Sequence, residues 1–104
     1  MYSIELTPQA ARQLKKLASD TRAQLARAID RLGSDPRPRG VKKLKGKDIE
    51  NCYRLRVGDF RIIYQVRNGD ELVILIVRIG DRKEVYKDQK RLVRLLKRLR
   101  SGSS

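Results

Sequence analysis

Hydrophobic and polar residues alternate along this chain with two different periods, and each period predicts a type of secondary structure. Tyr2–Leu6 alternates with a period of two, which predicts a short β-strand. Thr7 and Pro8 predict a helix start, because threonine is a good N-cap and proline costs nothing in the first helical turn. Two runs of apolar residues at helical spacing follow, separated by the segment 19–21, which offers a new N-cap, and Gly33 suits the end of the second run. The first third of the chain is therefore predicted to be a strand followed by a helical hairpin.

The middle of the chain predicts a loop and then three strands. Residues 34–50 are expected to form a loop, because two closely spaced prolines and several lysines interrupt any period. Two-residue turn motifs, Gly58-Asp59 and Asn68-Gly69, separate the strands that follow. The predicted strands are Cys52–Val57, Phe60–Arg67 and Leu72–Ile79. The last is almost wholly apolar and β-branched, which predicts a central strand covered on both faces.

The C-terminal fifth of the chain divides into three segments with different predicted structures. Residues 82–86 fit either an extension of the last strand or a loop, Asp88–Arg100 has the leucine spacing of a helix, and 101–104 is expected to be a disordered tail. The predicted order is thus β-α-α-β-β-β-α. This order predicts an α+β fold, with an antiparallel sheet, the helical hairpin on one of its faces and a C-terminal helix, in a single domain over residues 1–100.

The amino-acid composition excludes several classes of catalytic and metal-binding site. The 104 residues include 26 Lys and Arg, 12 Asp and Glu, one cysteine and no histidine, which gives a net charge of +14. Without histidine there is no Ser–His or Cys–His nucleophile and no imidazole metal ligand, and a single cysteine forms neither an intrachain disulfide nor a cysteine metal cluster. The basic excess is concentrated in residues 37–60 and 87–104. A nucleic acid or an acidic protein is the expected partner, and a merely solvated basic surface is the alternative.

Apolar runs in the sequence are short. The longest, Leu72–Val77, is far below the roughly 20 residues of a membrane span, and the N-terminus has no basic-then-apolar leader. The sequence therefore predicts a cytoplasmic protein that contacts no membrane, binds no metal and uses no small-molecule cofactor.

Three groups of residues are candidates for binding or catalysis. The first is Arg54, Arg56 and Arg61, because a two-residue turn at Gly58-Asp59 places Arg56 opposite Arg61, where two guanidinium groups repel each other unless an anion lies between them. The second is Arg82 with Tyr86, which follow the most buried strand and could clamp a phosphate and stack on a base. The third is a group of lysines suited to tracking a phosphate backbone: Lys42, Lys43, Lys45 and Lys47. The alternatives are ordinary solvent-facing positions for the first group, an edge-capping tyrosine with a paired arginine for the second, and a solvated loop for the third.

Several segments together resemble the RelE toxins of the RelE/ParE superfamily. They are Lys43-Leu44-Lys45-Gly46, Cys52–Arg56, Gly58–Val66 and Val77–Tyr86, and they occur in the order of that family. The resemblance extends from Tyr2 to about Tyr86. It implies a toxin of a type II toxin–antitoxin system, with a sheet like that of microbial ribonucleases. It further implies cleavage of mRNA in the ribosomal A site, and partnership with the 70S ribosome and an acidic RelB-like antitoxin.

The resemblance also implies roles for individual residues. Arg61 matches the arginine that stabilises the charged phosphorane, Arg82 the arginine that assists the leaving 5′ oxygen, and Tyr86 the tyrosine that stacks on the substrate base. Arg54 and Arg56 stand where well-known members carry lysines, and arginine stays protonated, so these two are expected to stabilise charge rather than accept a proton. Asp81 stands where many relatives have a histidine.

Three functions remain open on the sequence. The leading one is ribosome-dependent cleavage of mRNA by attack of a ribose 2′-hydroxyl. A ParE-like, non-enzymatic poison of DNA gyrase shares the fold but generally lacks the Arg61, Arg82 and Tyr86 set. A basic RNA-binding module without activity is the third. The leucines and basic residues of Asp88–Arg100 predict that an acidic amphipathic antitoxin segment docks on this helix or competes with it.

Overall fold

A five-stranded sheet with two helices forms the part of the chain that is described. The computed structural model describes residues 1–46, 49–81 and 94. The element bounds, in chain order, are β1 Ser3–Leu6, α1 Pro8–Lys15, α2 Ser19–Leu32, β2 Lys42–Lys43, β3 Cys52–Val57, β4 Phe60–Asn68 and β5 Leu72–Asp81. The strands lie in the order β1-β5-β4-β3-β2. The predicted α+β fold is confirmed, whereas the predicted C-terminal helix and the tail at 101–104 lie outside the described residues.

The sheet is mostly antiparallel. β2, β3, β4 and β5 pair antiparallel in sequence, but β1 pairs parallel with β5, with Ser3 opposite Val73. β5 therefore lies between β1 and β4, which confirms the prediction of a central, covered strand. The two-residue pair Lys42–Lys43 is a strand inside the predicted loop, and so the sheet has one more strand than the alternation of apolar residues indicated.

The helix boundaries follow local chemistry. The Thr7 hydroxyl oxygen accepts a hydrogen bond from the Ala10 N–H, as expected of an N-cap. The segment 19–21 does not supply the N-cap predicted for α2, because the helix already begins at Ser19 and no side chain caps it. Gly33 is the C-cap of α2, but in a right-handed conformation. A Cβ at this position would lie 3.0 Å from the Tyr2 carbonyl oxygen, so glycine permits the close approach of β1.

Both faces of the sheet carry apolar residues. On the hairpin face, Leu25, Ile29 and Leu32 of α2 pack with residues of β3, β4 and β5 such as Tyr64 and Ile76. A second buried group lies on the opposite face: Ile49, Cys52, Ile63, Leu75 and Val77. The polar positions of that opposite face carry the candidate site.

Candidate functional site

The register of β3 and β4 places three predicted arginines on one face of the sheet. Arg56 lies directly opposite Arg61, and Arg54 lies opposite Ile63, one row further along. These positions alternate with core residues of the hairpin face, so all three arginines lie on the opposite face, which we call the arginine face. Residues directly opposite each other have β-carbons about 4.5–5.5 Å apart. The predicted juxtaposition of Arg56 and Arg61 is confirmed.

A β-bulge in β5 adds a fourth arginine that the sequence did not reveal. Tyr64 pairs with Ile76 but Ile63 pairs with Arg78, so Val77 is an extra residue in β5. Strict alternation from Ile76 would have turned Arg78 towards the helices. Because of the extra residue, Arg78 instead lies on the arginine face, in the row of Arg54 and Ile63. No change of period within the apolar run 72–79 indicates the bulge.

Side chains from the start of the chain satisfy the backbone at the bulge. The Thr7 hydroxyl donates to the Val77 carbonyl oxygen at 2.8 Å, and the Ile79 N–H donates to Gln13 Oε1 at 2.8 Å. Buried backbone groups that lose their sheet partners need such substitutes. The position of Arg78 therefore depends on Thr7, the N-cap of α1, and on Gln13 within that helix.

The arginine face is strongly cationic. Residues that lie side by side on neighbouring strands form rows across the sheet. One row contains Arg54 and Arg78, and the next contains Arg56 and Arg61. None of the described positions in these two rows is acidic. Arg61 is only 7% exposed, yet within the described residues the only hydrogen bond of its side chain is a long one, 3.5 Å from Nη1 to the Phe60 carbonyl oxygen. A largely buried guanidinium group with so little compensation is suited to an anion that arrives from outside.

The lysines predicted to track a phosphate backbone do not share one surface. Lys42 lies opposite Arg54 and extends that row of the arginine face to a fourth strand, whereas Lys43 lies opposite Tyr53 and so belongs to the other side of the sheet. Lys45 is exposed beyond the strand. Lys47 lies outside the described residues. The structure therefore unites Lys42, but not Lys43, with the arginines.

Two other predicted site residues follow the end of β5 in the sequence. β5 continues two residues past its predicted end, to Asp81, which lies opposite Phe60. Arg82 and Tyr86 lie outside the described residues, and their roles stay predictions.

Tyrosines on the hairpin face form a second polar group that sequence reasoning missed. Tyr53 and Tyr64 stack with ring centroids 5.7 Å apart, Arg37 Nε donates to the Tyr53 hydroxyl at 2.7 Å, and the Tyr64 hydroxyl donates to the Pro36 carbonyl oxygen at 2.6 Å. Burial raises the pKa of Tyr64 above its ordinary value, and the hydrogen bond to Tyr53 raises the pKa of Arg37. These contacts fasten the loop 34–40 to the sheet.

Within the described part of the chain, no helix has the length and apolarity needed to cross a membrane. The same part of the chain holds no cluster of three or more acidic or cysteine side chains arranged to bind a metal ion.

Comparison with known proteins places the fold in a family. A family model described as the ParE toxin of the type II toxin–antitoxin system, parDE, matches residues 4–86. The chain belongs to the RelE/ParE superfamily. It is therefore a toxin of the type II toxin–antitoxin class. No curated protein matches the sequence of this RelE/ParE toxin.

Solved structures agree with that membership. The archaeal RelE–RelB complex from Pyrococcus horikoshii is 31% identical, with a TM-score of 0.66, covering 78% of this chain and 94% of that one. The isolated E. coli RelE toxin is 26% identical, with a TM-score of 0.68, covering 89% and 99%. A YoeB/ParE toxin from Agrobacterium tumefaciens, at 13% identity and a TM-score of 0.65 over 76% and 96% of the two chains, shares the fold alone.

Proposed function

We propose that this RelE/ParE toxin is a ribosome-dependent endoribonuclease that cleaves mRNA in the A site, and that an acidic RelB-like antitoxin neutralises it. One observation carries the proposal. Arg56 and Arg61 face each other on a sheet surface whose neighbouring row adds Arg54 and Arg78. Four clustered cations are suited to a phosphodiester. The similarity to RelE structures, several of them in complex with RelB-type antitoxins, supports the same assignment.

The proposed reaction needs charge stabilisation above all. The ribose 2′ oxygen attacks the adjacent phosphorus, the bond from phosphorus to the 5′ oxygen breaks, and a 2′,3′-cyclic phosphate and a 5′-hydroxyl result. The proton lost by the 2′-hydroxyl is balanced by protonation of the departing oxygen. Arg61, with Arg54 and Arg56, would stabilise the extra negative charge on the phosphorane. Arg82 would assist the leaving oxygen, and Tyr86 would stack on the base.

The proposed dependence on the ribosome follows because the arginine face offers no group that accepts a proton. Arginine remains protonated at all physiological pH values, so the arginine face supplies cations but no proton acceptor. The chain has no histidine to fill that role. Orientation of the RNA by the ribosome would then provide much of the rate enhancement, since correct positioning alone lowers a barrier by several kcal/mol.

A cleavage assay with programmed ribosomes tests the proposal. Wild-type protein is expected to cut mRNA in the A site and to leave the same naked mRNA largely intact. Arg61→Ala should lower the rate by about 10²–10³-fold, the usual effect of losing one group that stabilises transition-state charge. Arg67→Ala is the matched control, because Arg67 lies on the same strand and face but pairs with Gln65, at the far end of β4.

Two results would overturn this function. One is a near-normal rate for Arg61→Ala with a native circular dichroism spectrum. The other is absence of cleavage on ribosomes and on free RNA alike. In the second case a ParE-like gyrase poison becomes the better candidate, which the match to the ParE family model favours. Expression would then cause filamentation and DNA damage rather than translation arrest.

A further inference from the structure

The cations of the arginine face lie in two consecutive rows of the sheet. One row contains Arg56 and Arg61, and the next contains Arg54 and Arg78, with Lys42 at its outer end on β2. The row after these two contains no cation among the described residues. Its members are Cys52, Gln65, Leu75 and, on β1, Glu5. Within the described sheet, the cationic surface is therefore two rows long and is followed by neutral and acidic side chains.

The separation of the two rows matches the repeat of an RNA backbone. Rows on one face of a sheet are two residues apart along each strand, or about 6.6 Å at the usual rise per residue. Successive phosphates of an extended RNA single strand are also roughly 6–7 Å apart. An RNA strand that runs along β3 and β4 would therefore place one phosphate in each row.

The β-bulge in β5 adds a second arginine to the second row. Without the extra residue, Val77 would lie opposite Ile63, and Arg54 would be the only arginine described in that row. With it, Arg78 takes that place. Bulges commonly redirect a side chain next to an active site. Since hydrogen bonds to two side chains from the start of the chain stabilise this bulge, the position of Arg78 is specified by the fold.

Arg54 and Arg78 lie on either side of Ile63. Their strands, β3 and β5, both neighbour β4, and so their backbones are about 9–10 Å apart. Both arginines are half-buried, whereas Ile63 is apolar and only 3% exposed. Two long guanidinium side chains can contact one phosphate from opposite sides of such a gap, and each can donate two parallel hydrogen bonds to its oxygens. The second row is therefore suited to a phosphate of its own.

We propose that Arg78, together with Arg54, binds the phosphate next to the scissile one, so that the arginine face holds two consecutive phosphates of single-stranded RNA. Arg56 and Arg61 hold the phosphate that reacts, and Arg54, which follows Arg56 on the same face of β3, contacts both phosphates. Arg78 is then a positioning residue, which fixes the RNA on the sheet without touching the reacting phosphorus. The part that concerns the scissile phosphate rests on the proposed function, whereas the two-phosphate site does not.

Short oligonucleotides test the two-phosphate site without any cleavage. The probe is a 2′-O-methyl trinucleotide, which has two internal phosphodiesters and no 2′-hydroxyl for attack, and it carries a neutral fluorophore. The matched probe replaces one of the two linkages by a methylphosphonate, which removes one charge and keeps nearly the same shape. Fluorescence anisotropy with the full-length protein gives both dissociation constants. We expect the loss of one charge to weaken binding about tenfold, or roughly 1.4 kcal/mol.

Protein variants assign the lost contact to Arg78. In Arg78→Ala the methylphosphonate should weaken binding by less than about threefold, because the second phosphate has already lost its partner. Arg78→Lys keeps the charge and should retain most of the tenfold effect. Arg67→Ala is the matched control and should show the full effect, since Arg67 lies on the same face of β4 but outside both rows.

Salt dependence provides a second readout of the same contact. The slope of log affinity against log salt should fall by about 0.7 in Arg78→Ala, the value expected for one lost phosphate contact to a single strand, and should stay unchanged in Arg67→Ala. An equal effect of the methylphosphonate in wild type and Arg78→Ala would overturn the proposal. The same reduced effect in Arg67→Ala would overturn it as well.

Cleavage on programmed ribosomes relates the second phosphate to the scissile one. Each mRNA carries a single methylphosphonate in the linkage before or after the scissile linkage, with a 2′-O-methyl group on the nucleoside that precedes it. Comparison of protein variants on the same mRNA cancels any effect of the modification on the ribosome itself. At one of the two linkages, the modification should slow wild-type protein and Arg61→Ala by about tenfold each, but Arg78→Ala by no more than about twofold.

Failure of one proposal does not entail failure of the other. The expected pattern of trinucleotide binding, in a protein that cleaves nothing, would overturn the cleavage function and leave the two-phosphate site intact. Ribosome-dependent cleavage that needs Arg61, with equal methylphosphonate effects in wild type and Arg78→Ala at both linkages, would overturn the role of Arg78 and leave the cleavage function intact.

Discussion

Replacement of Thr7 by valine is expected to destabilise the protein far more than its size suggests. Thr7 is 3% exposed, and its hydroxyl both donates to the Val77 carbonyl oxygen and accepts from the Ala10 N–H. Valine has nearly the same shape but no hydroxyl. Loss of an N-cap costs about 1 kcal/mol. A buried carbonyl left without its partner costs about 1–3 kcal/mol more. The expected total is therefore about 2–4 kcal/mol.

Urea denaturation measures this change. With an m-value of about 2 kcal/mol/M, typical of a small domain, the midpoint of Thr7→Val should fall by roughly 1–2 M. Thr7→Ser is the control, because it keeps the hydroxyl and loses only a methyl group, worth about 1 kcal/mol. Ribosome-dependent cleavage should fall as well, since the bulge that Thr7 supports positions Arg78. If Thr7→Val and Thr7→Ser have equal midpoints, the two hydrogen bonds do not stabilise the bulge and the reasoning is wrong.

Other predictions concern the cations and the tyrosines. Arg78→Ala should slow cleavage by about tenfold, less than Arg61→Ala, because Arg78 lies in the neighbouring row. Lys42→Glu should weaken ribosome cosedimentation more than Lys43→Glu, since only Lys42 lies on the arginine face. Stability should decline as the pH rises above about 10, where an unfolded tyrosine ionises. Burial raises the pKa of Tyr64 in the folded state, so the unfolded state loses its proton first, and Tyr64→Phe should flatten the decline in urea midpoints.

Each of these three predictions has a result that would refute it. Cleavage by Arg78→Ala at the wild-type rate would remove the bulge from the mechanism. Equal cosedimentation of the two lysine variants would mean that ribosome binding depends on total charge and not on the arginine face. An unchanged alkaline slope in Tyr64→Phe would assign the pH dependence to other residues.

Local patterns in the sequence predict the arginine pair but not the whole arginine face. The two-residue turn after Val57 fixes the register of two adjacent strands, and so Arg56 opposite Arg61 follows from the sequence alone. Arg78 does not, because the run around it is apolar at every neighbouring position and an extra residue leaves no trace in such a run. Its position depends on Thr7, which is far away along the chain.

Pairing between residues distant in sequence explains the other differences between the predicted and the observed fold. A strand of two lysines has no apolar alternation, and β2 exists because β3 offers it an edge. Nothing in the residues of β1 specifies a parallel partner rather than an antiparallel one. The position of the loop 34–40 likewise follows from tertiary contacts, such as the hydrogen bond between Tyr64 and Pro36.

The parallel pairing of β1 with β5 has a consequence during synthesis of the chain. β1 leaves the ribosome before the other described strands, but β5, its partner within the described sheet, is the last of them to emerge, and the Thr7–Val77 hydrogen bond closes a separation of 70 residues. Contacts so distant in sequence form late, because the entropy of closing the loop must be met before they stabilise anything. A nascent or prematurely terminated chain that ends before β5 lacks the centre of the sheet and Arg78, and so cannot complete the arginine face.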